Sequence, residues 1–424
     1  MVEKQFANLG ERITSATLEN GLTIYVMPKL GFAKKYAFFA TSYGGADRRF
    51  SLDGKWQDTP AGIAHFLEHK LFDTEDGNAL TDLAANGASP NAFTSAEMTA
   101  YYFECTEGFY DNLKTLLSFV SVPYFTPESV AKEQGIIGQE IGMIADMPEY
   151  VVYYNLLKAL YENHPVRESI AGTVESIAQI TDQTLYELHQ AFYRPSNMVL
   201  CVVGDVDPGR VLEITEAVLP KEKAERPQKD HGAPEEKPVI TPFTMVEMEV
   251  SKPRFMAGTR IDGAYTEKAY LHLELTGILA LEYLLGESAS LYVKLYEEGF
   301  ISKDFSKGIF IGESHAYTEF GGESSQPEKV LEVMKAEVAK SKNKEDFDTE
   351  RFTLVKKALY GKLLKALDDV EDLCYAQASA HFKGINALER LEILEKITEE
   401  DVQTFFEKHM SAEQFALSVV SPNK

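Results

Sequence analysis

The chain of 424 residues repeats itself at an offset of 217, and this constrains its fold more than any other feature. Ile180-Thr181 opens a helix-like stretch that runs into Asn197-Met198-Val199-Leu200-Cys201-Val202-Val203; Ile397-Thr398 opens another that runs into Gln414-Phe415-Ala416-Leu417-Ser418-Val419-Val420. Helix then strand, twice in register, marks a duplicated unit rather than one large domain. Between Pro220 and Pro238 the text is charged, rich in Pro and Gly and without apolar period, as in a surface linker. The expected organisation is 1–220, a linker at 221–238, and 239–424. On both sides short β-like runs, such as Leu22 to Met27 and Lys35 to Ser42, alternate with long amphipathic stretches. Each half therefore reads as a mixed helix and sheet domain.

Composition removes several classes of function. Against 42 Lys+Arg stand 66 Asp+Glu, a formal charge of −24, so a polyanion is repelled and nucleic acid is not an expected partner. The longest apolar stretches, such as Met198 to Val203, fall far short of the roughly 20 residues that cross a bilayer, so no membrane span is expected. Met1 to Arg12 lacks the apolar core of a secretory signal. Cys105, Cys201 and Cys374 are too scattered for a disulfide framework or a metal clip. A cytoplasmic protein with packed cores is the expectation.

The chemistry is carried by Thr59-Pro60-Ala61-Gly62-Ile63-Ala64-His65-Phe66-Leu67-Glu68-His69-Lys70-Leu71-Phe72. Thr59-Pro60 is a helix-start signal, so a helix is expected from about Pro60 to Phe72. His65 and His69 then lie one turn apart on one face, with Glu68 beside them. This is the inverted zinc motif His-x-x-Glu-His: two neutral imidazoles hold the ion, and a carboxylate that does not ligate it stands close enough to take a proton from water. A catalytic zinc needs a third protein ligand and an open position. Thr126-Pro127 opens a second helix bearing Glu133 and Glu140, two turns apart on one face. One of the two can ligate the metal while the other orients the site. Gly135, Gly138 and Gly142 are costly inside a helix, which leads to the expectation that the helix carrying the histidines packs against them. In the second half the offset lands on Glu282-Tyr283-Leu284-Leu285-Gly286, where the apolar spacing survives without the ligands, so one Zn2+ per chain is expected. His315, His381 and His409 lack ligand spacing, and neither Gly-x-Ser-x-Gly nor a Gly-rich phosphate loop occurs.

These residues resemble the insulinase, or pitrilysin, family of inverted-motif zinc peptidases, which includes the mitochondrial processing peptidases. Gly87 to Ser95 with Thr99 to Phe103 is similar to the family's edge-strand segment, and His164-Pro165 to its loop. The wording HFLEHKLF, EQGIIGQEI and HPVRESIAGTVESI looks closest to the bacterial YmfH-type members. The resemblance implies an α+β fold of two homologous domains, of the LuxS and mitochondrial-processing-peptidase-like metallohydrolase type. Each would be a largely antiparallel sheet with helices on one face, the pair forming half of a clamshell. It further implies His65, His69 and Glu140 as zinc ligands, Glu68 as general base and Glu133 as a supporting acid of the catalytic set. An extended peptide substrate would add a strand beside Asn91, Ala92, Phe93 and Thr94.

In one place the sequence departs from the family pattern. Active members carry an Arg, and seven residues later a Tyr, that bind substrate and oxyanion; here Tyr296 stands at the Arg position and Ser302 or Lys303 at that of the Tyr. Losing such a donor costs about 10² to 10³ in rate. The resemblance therefore implies a heterodimeric metalloendopeptidase, whose companion subunit lacks the zinc motif and supplies the Arg and Tyr. The alternatives are a non-catalytic peptide-binding or structural subunit and a self-sufficient homodimer.

Overall fold

The computed structural model of the chain describes residues 1–263 and 267–423. A seven-stranded sheet forms the centre of the first half, in the order Val2–Phe6, Glu11–Thr17, Thr23–Pro28, Met198–Gly204, Lys35–Thr41, Thr99–Cys105, Ala88–Thr94. A five-stranded sheet forms the second, in the order Phe243–Met248, Phe415–Pro422, Arg254–Arg260, Ala316–Glu323, Ser306–Ile311. The last five strands of the first sheet and all five of the second have the same order and directions. In each, one parallel pair (Thr23–Pro28 with Met198–Gly204; Phe243–Met248 with Phe415–Pro422) is followed by antiparallel neighbours. The repeat read at an offset of 217 is thus a repeat of topology.

The strands alternate side chains between two cores, as a period of two requires. Along Lys35–Thr41, Ala37 and Phe39 join one hydrophobic cluster while Tyr36, Phe38 and Ala40 join another. Leu200 and Val202 follow the first, and Val199, Cys201 and Val203 the second. The first cluster is built with helices of the first half's own sequence, among them Ile63–Leu71, Phe109–Ser121 and Asp182–Phe192. The expected helical layer on one face is therefore present. The other face is not bare: helix Val370–Phe382, from the distal half of the chain, lies on strands Met198–Gly204 and Lys35–Thr41 and buries Val370, Leu373, Cys374 and Ala378 there.

The second sheet receives a helix in return. Pro148–Leu160 packs on Phe415–Pro422 and Arg254–Arg260, where Arg254 pairs with Glu149 and Arg260 donates to the Leu160 carbonyl. Phe255, at the other parity of that strand, meets Phe305 and Phe320. Contacts consequently divide the chain into one unit of Met1–Ile141, Ser169–His231 and Leu364–Leu388, and another of Gly142–Glu168, Gly232–Leu363 and Glu389–Lys424. The charged stretch expected to be a plain linker is tied down. Gln228–Asp230 pairs with Arg49–Ser51, and Lys229 and His231 reach the buried Asp47 at 3.0 and 2.8 Å. Glu235 accepts from the backbone N–H groups of Glu162, Asn163 and His164. Asp73 pairs with the buried ammonium of Lys70.

Candidate metal centre

The helix that carries the motif begins later than its sequence signal. It runs Ile63–Leu71, capped by Gly62 at φ 90°, so the first turn is not set by Thr59-Pro60. The physical reason is Gly62: the left-handed backbone there turns the chain into the helix, and a Cβ would lie 2.5 Å from the Ala171 carbonyl oxygen. Ile63, Ala64, Phe66, Leu67 and Leu71 face the core. That leaves His65 and His69 on one flank, with ring centroids 4.5 Å apart.

Helix Pro127–Ala145 supplies the carboxylates. Val130 and Ile137, one face of that helix, are its two buried residues, and this face orients the neighbouring Glu133 and Glu140 toward the histidines. Nε2 of His65 lies 3.7 Å from Glu140 Oε1, and Nε2 of His69 lies 3.8 Å from Glu140 Oε2. Glu133 Oε1 sits 3.1 Å from His69 Nδ1. Among the described residues, His65, His69 and Glu140 are the group of side chains whose donor atoms converge, all within 4.8 Å of one another.

The expectation about the glycines fails. A Cβ at Gly135, Gly138 or Gly142 would meet nothing within 4 Å, so no close helix approach requires them. They lie away from the Val130 and Ile137 face, and Gly135 and Gly142 are exposed. Side chains of Glu133 and Glu140 reach the histidine-bearing helix.

Three observations bear on whether the triad fits zinc. Bonds of about 2.0–2.1 Å place neighbouring donors of a tetrahedral ion about 3.4 Å apart, and the two imidazole to carboxylate separations, 3.7 and 3.8 Å, are slightly wider. Glu133 as a carboxylate accepts, so His69 Nδ1 carries the proton of the neutral ring and Nε2 presents a lone pair to Glu140. Lone pair facing anion is repulsive unless a cation lies between them. The electrostatics agree: burial alone would lower the His69 pKa, but the Glu133 hydrogen bond and the charges of Glu68, Glu133 and Glu140 outweigh it and raise it. Burial and the neighbouring His69 pull His65 down to about 4, which keeps it in the neutral, ligating form at neutral pH. His65 Nδ1 is buried with no hydrogen-bond partner among the described residues, so its ring is directed by packing rather than by a second carboxylate.

Glu68 stands apart from the triad. It is buried, and its Oε2 accepts a 2.8 Å hydrogen bond from Thr94 Oγ1. Burial raises its pKa, with the Glu140 charge adding to the rise and the Thr94 hydrogen bond and His69 opposing it. A carboxylate held near the metal position with an elevated proton affinity is suited to accept a proton. Thr94 was legible only as part of the strand signature; its partner could not be. The strand itself, Ala88–Thr94, pairs with Thr99–Cys105 on one side and forms an outer edge of the sheet. Asn91, Ala92 and Phe93 lie on it, with Phe93 turned toward Phe38 and Tyr375 and Thr94 toward Glu68.

Two family models match the sequence: the insulinase peptidase family M16 over residues 54–174, and the M16 inactive domain over 179–359. An uncharacterized zinc protease of Bacillus subtilis, YmfH, is 38% identical over 423 residues, covering 99% of this chain and 98% of the relative. The chain belongs to peptidase family M16. An M16-like peptidase from Alicyclobacillus acidocaldarius, known from its crystal structure, superposes with a TM-score of 0.93 at 32% identity, over 97% of this chain and 99% of the other. An M16 inactive domain from Pseudomonas fluorescens shares the fold with a TM-score of 0.80 at 17% identity, covering 97% and 98%. M16 membership accounts for the two α+β domains of this chain. No helix among the described residues is long and apolar enough to cross a membrane.

Proposed function

We propose that this chain is a zinc-dependent metalloendopeptidase acting on extended peptides. The observation that carries the reading is the convergence of His65, His69 and Glu140, with Glu68 beside them and held by Thr94. Relatives named zinc proteases support it, YmfH of Bacillus subtilis among them. Zinc bound by the three ligands would polarise a peptide carbonyl and acidify a water molecule. Glu68 takes a proton from the attacking water on Oε1, because Oε2 is engaged by Thr94, and later delivers it to the leaving amine. Glu133 is a positioning residue: it fixes the His69 tautomer and ring angle through Nδ1. The backbone of Asn91, Ala92, Phe93 and Thr94, at the outer edge of the sheet, accepts the substrate as an added strand.

The chain works with a homologous companion in this reading. Tyr296, half-exposed and stacked on Tyr292, occupies the Arg position of the family pattern, and the Ser302 hydroxyl is engaged by Asp304. A partner supplying the Arg and Tyr would complete oxyanion binding. The match of residues 179–359 to an inactive-domain model favours a second reading, in which the chain only binds peptide within a complex. The free, buried thiols of Cys105, Cys201 and Cys374 suit the cytoplasmic placement that belongs to the same proposal. Replacing Glu68 by Gln in the zinc-loaded complex separates the readings. The catalytic one expects turnover to fall by about 10² or more with zinc retained; unchanged cleavage would leave the binding role.

A further inference from the structure

The repeat places a cavity in the second half at the counterparts of His65, His69 and Glu140. By the 217-residue offset, His65 and His69 correspond to Glu282 and Gly286, at the end of helix Glu267–Leu285. Helix Thr349–Ala366 corresponds to Pro127–Ala145 at a slightly larger offset, because its two buried residues, Phe352 and Leu359, each lie 222 residues beyond Val130 and Ile137. Glu140 then corresponds to Lys362. All three counterparts, Glu282, Gly286 and Lys362, line one cavity of about 860 Å³. That volume is within the range of about 300–1,000 Å³ found for small-ligand sites.

The cavity holds a guanidinium edge that its own groups do not hydrogen-bond. Lys307 is spoken for by Glu282 at 3.3 Å. Arg351 is not: its guanidinium lies over the Tyr283 ring at 5.1 Å, and its Nε and Nη2 are buried without a hydrogen-bond partner among the described residues. These two atoms form the side-on edge of the guanidinium, which matches a carboxylate through two parallel hydrogen bonds. Leaving such an edge unpaired in the protein is costly, and no hydrogen bond has to break for the side chain to swing toward an entering anion. The rest of the lining states what else the ligand carries. Its carboxylates, Glu282, Glu287, Asp348 and Glu350, outnumber the cations Lys307, Arg351 and Lys362, which disfavours a polyanion and favours a ligand that also bears an ammonium. Leu354, Val355 and Ala358 add an apolar wall.

We propose that this cavity is a second ligand site, which takes a short zwitterionic peptide with its free C-terminal carboxylate on Arg351. The site goes beyond proteolysis at the metal cluster and does not depend on it. It is tested by calorimetry on the full-length, metal-free Glu68→Gln chain, in which turnover is blocked. The probes are the tripeptide Ala-Leu-Ala, its C-terminal amide and inorganic phosphate at matched ionic strength. The tripeptide is expected to bind one to one, and the amide about ten- to a hundredfold more weakly. Arg351→Gln should lose the same factor. Leu354→Asp, at a position 61% exposed and therefore without consequence for folding, should weaken binding by adding an anion beside the carboxylate. Equal binding of acid and amide, binding indifferent to Arg351→Gln, phosphate bound as tightly as the tripeptide, or no heat at all would each overturn the proposal. The amide keeps the backbone that an added strand would use and Arg351 lies outside the first half, so the acid–amide difference and the Arg351→Gln loss report on this cavity and not on the reading of the first half. Loss of cleavage in Glu68→Gln, conversely, says nothing about this cavity.

Discussion

Thr94 Oγ1 donates to Glu68 Oε2 at 2.8 Å, joining the outer strand of the first sheet to the helix that bears both histidines. One hydroxyl thereby links the place where a peptide would lie to the group that would move its proton. Because the bond stabilises the ionised carboxylate, it holds the Glu68 pKa down against burial.

Thr94→Val therefore moves the acidic limb of the pH–rate profile to higher pH. Glu68 must be ionised to accept a proton, so activity rises as pH passes upward through its pKa, and removing the donor raises that pKa. Turnover at neutral pH is expected to fall about tenfold or more with KM little changed. A profile of unaltered shape would remove Thr94 from the mechanism.

Glu133→Ala is expected to weaken zinc binding by about 10- to 100-fold, measured by competition with a chelator. Glu133→Gln, whose amide oxygen still accepts from His69 Nδ1, should recover part of the loss. The far-ultraviolet circular dichroism should match that of the parent, because Glu133 is not among the buried residues of its helix.

Zinc should raise the Tm of the parent chain and not that of His69→Ala or Glu140→Ala. At a hundredfold excess over Kd, a ligand bound only by the native state contributes about 2.7 kcal/mol, which is several degrees for a chain of this size. Equal shifts in all three proteins would place the binding elsewhere.

Acid should destabilise the fold through two histidines outside the His65, His69 and Glu140 group. Burial pulls His189, which bonds the Val120 carbonyl, down to about 4; burial and Arg226 do the same to His381, which bonds the Tyr25 hydroxyl. Between about pH 6.5 and 4 the unfolded chain binds these protons and the folded chain does not. The stability they confer is complete above about pH 6.5 and is lost as pH falls toward 4, with no further loss below it. Urea unfolding across this window should show the slope, and His189→Gln should reduce it.

Two glycines should respond oppositely to alanine. Gly62→Ala puts a side chain at φ 90° and a Cβ 2.5 Å from the Ala171 oxygen, so it destabilises by about 1–2 kcal/mol from the backbone alone and by more from the clash. Gly135→Ala meets nothing within 4 Å in a regular helix and is expected to stabilise by up to about 1 kcal/mol. Midpoints of urea denaturation distinguish them, and a destabilised Gly135→Ala would mean that this helix face is needed for something besides its own stability.

Much of this molecule was legible in its letters, and the part that was not has a physical cause. Period and spacing are local, so the amino-acid order alone placed His65, Glu68 and His69 on one flank of a helix and Glu133 and Glu140 on one face of another. It also carried the duplication, because helix and strand patterns are written twice in register. Which carboxylate approached which imidazole was decided by the packing of Val130 and Ile137 into the core, which put Glu140 near both Nε2 atoms and Glu133 on His69 Nδ1. The Thr94 bond to Glu68 joins residues brought together only by the sheet order. The exchange of helices Pro148–Leu160 and Val370–Phe382 onto the opposite halves' sheets was likewise invisible, since an amphipathic stretch records that it needs an apolar partner but not which sheet provides it. Sequence thus determined the chemical inventory and its local spacing; tertiary structure alone decided the partners, because burial is a contest among all apolar surfaces of the chain at once.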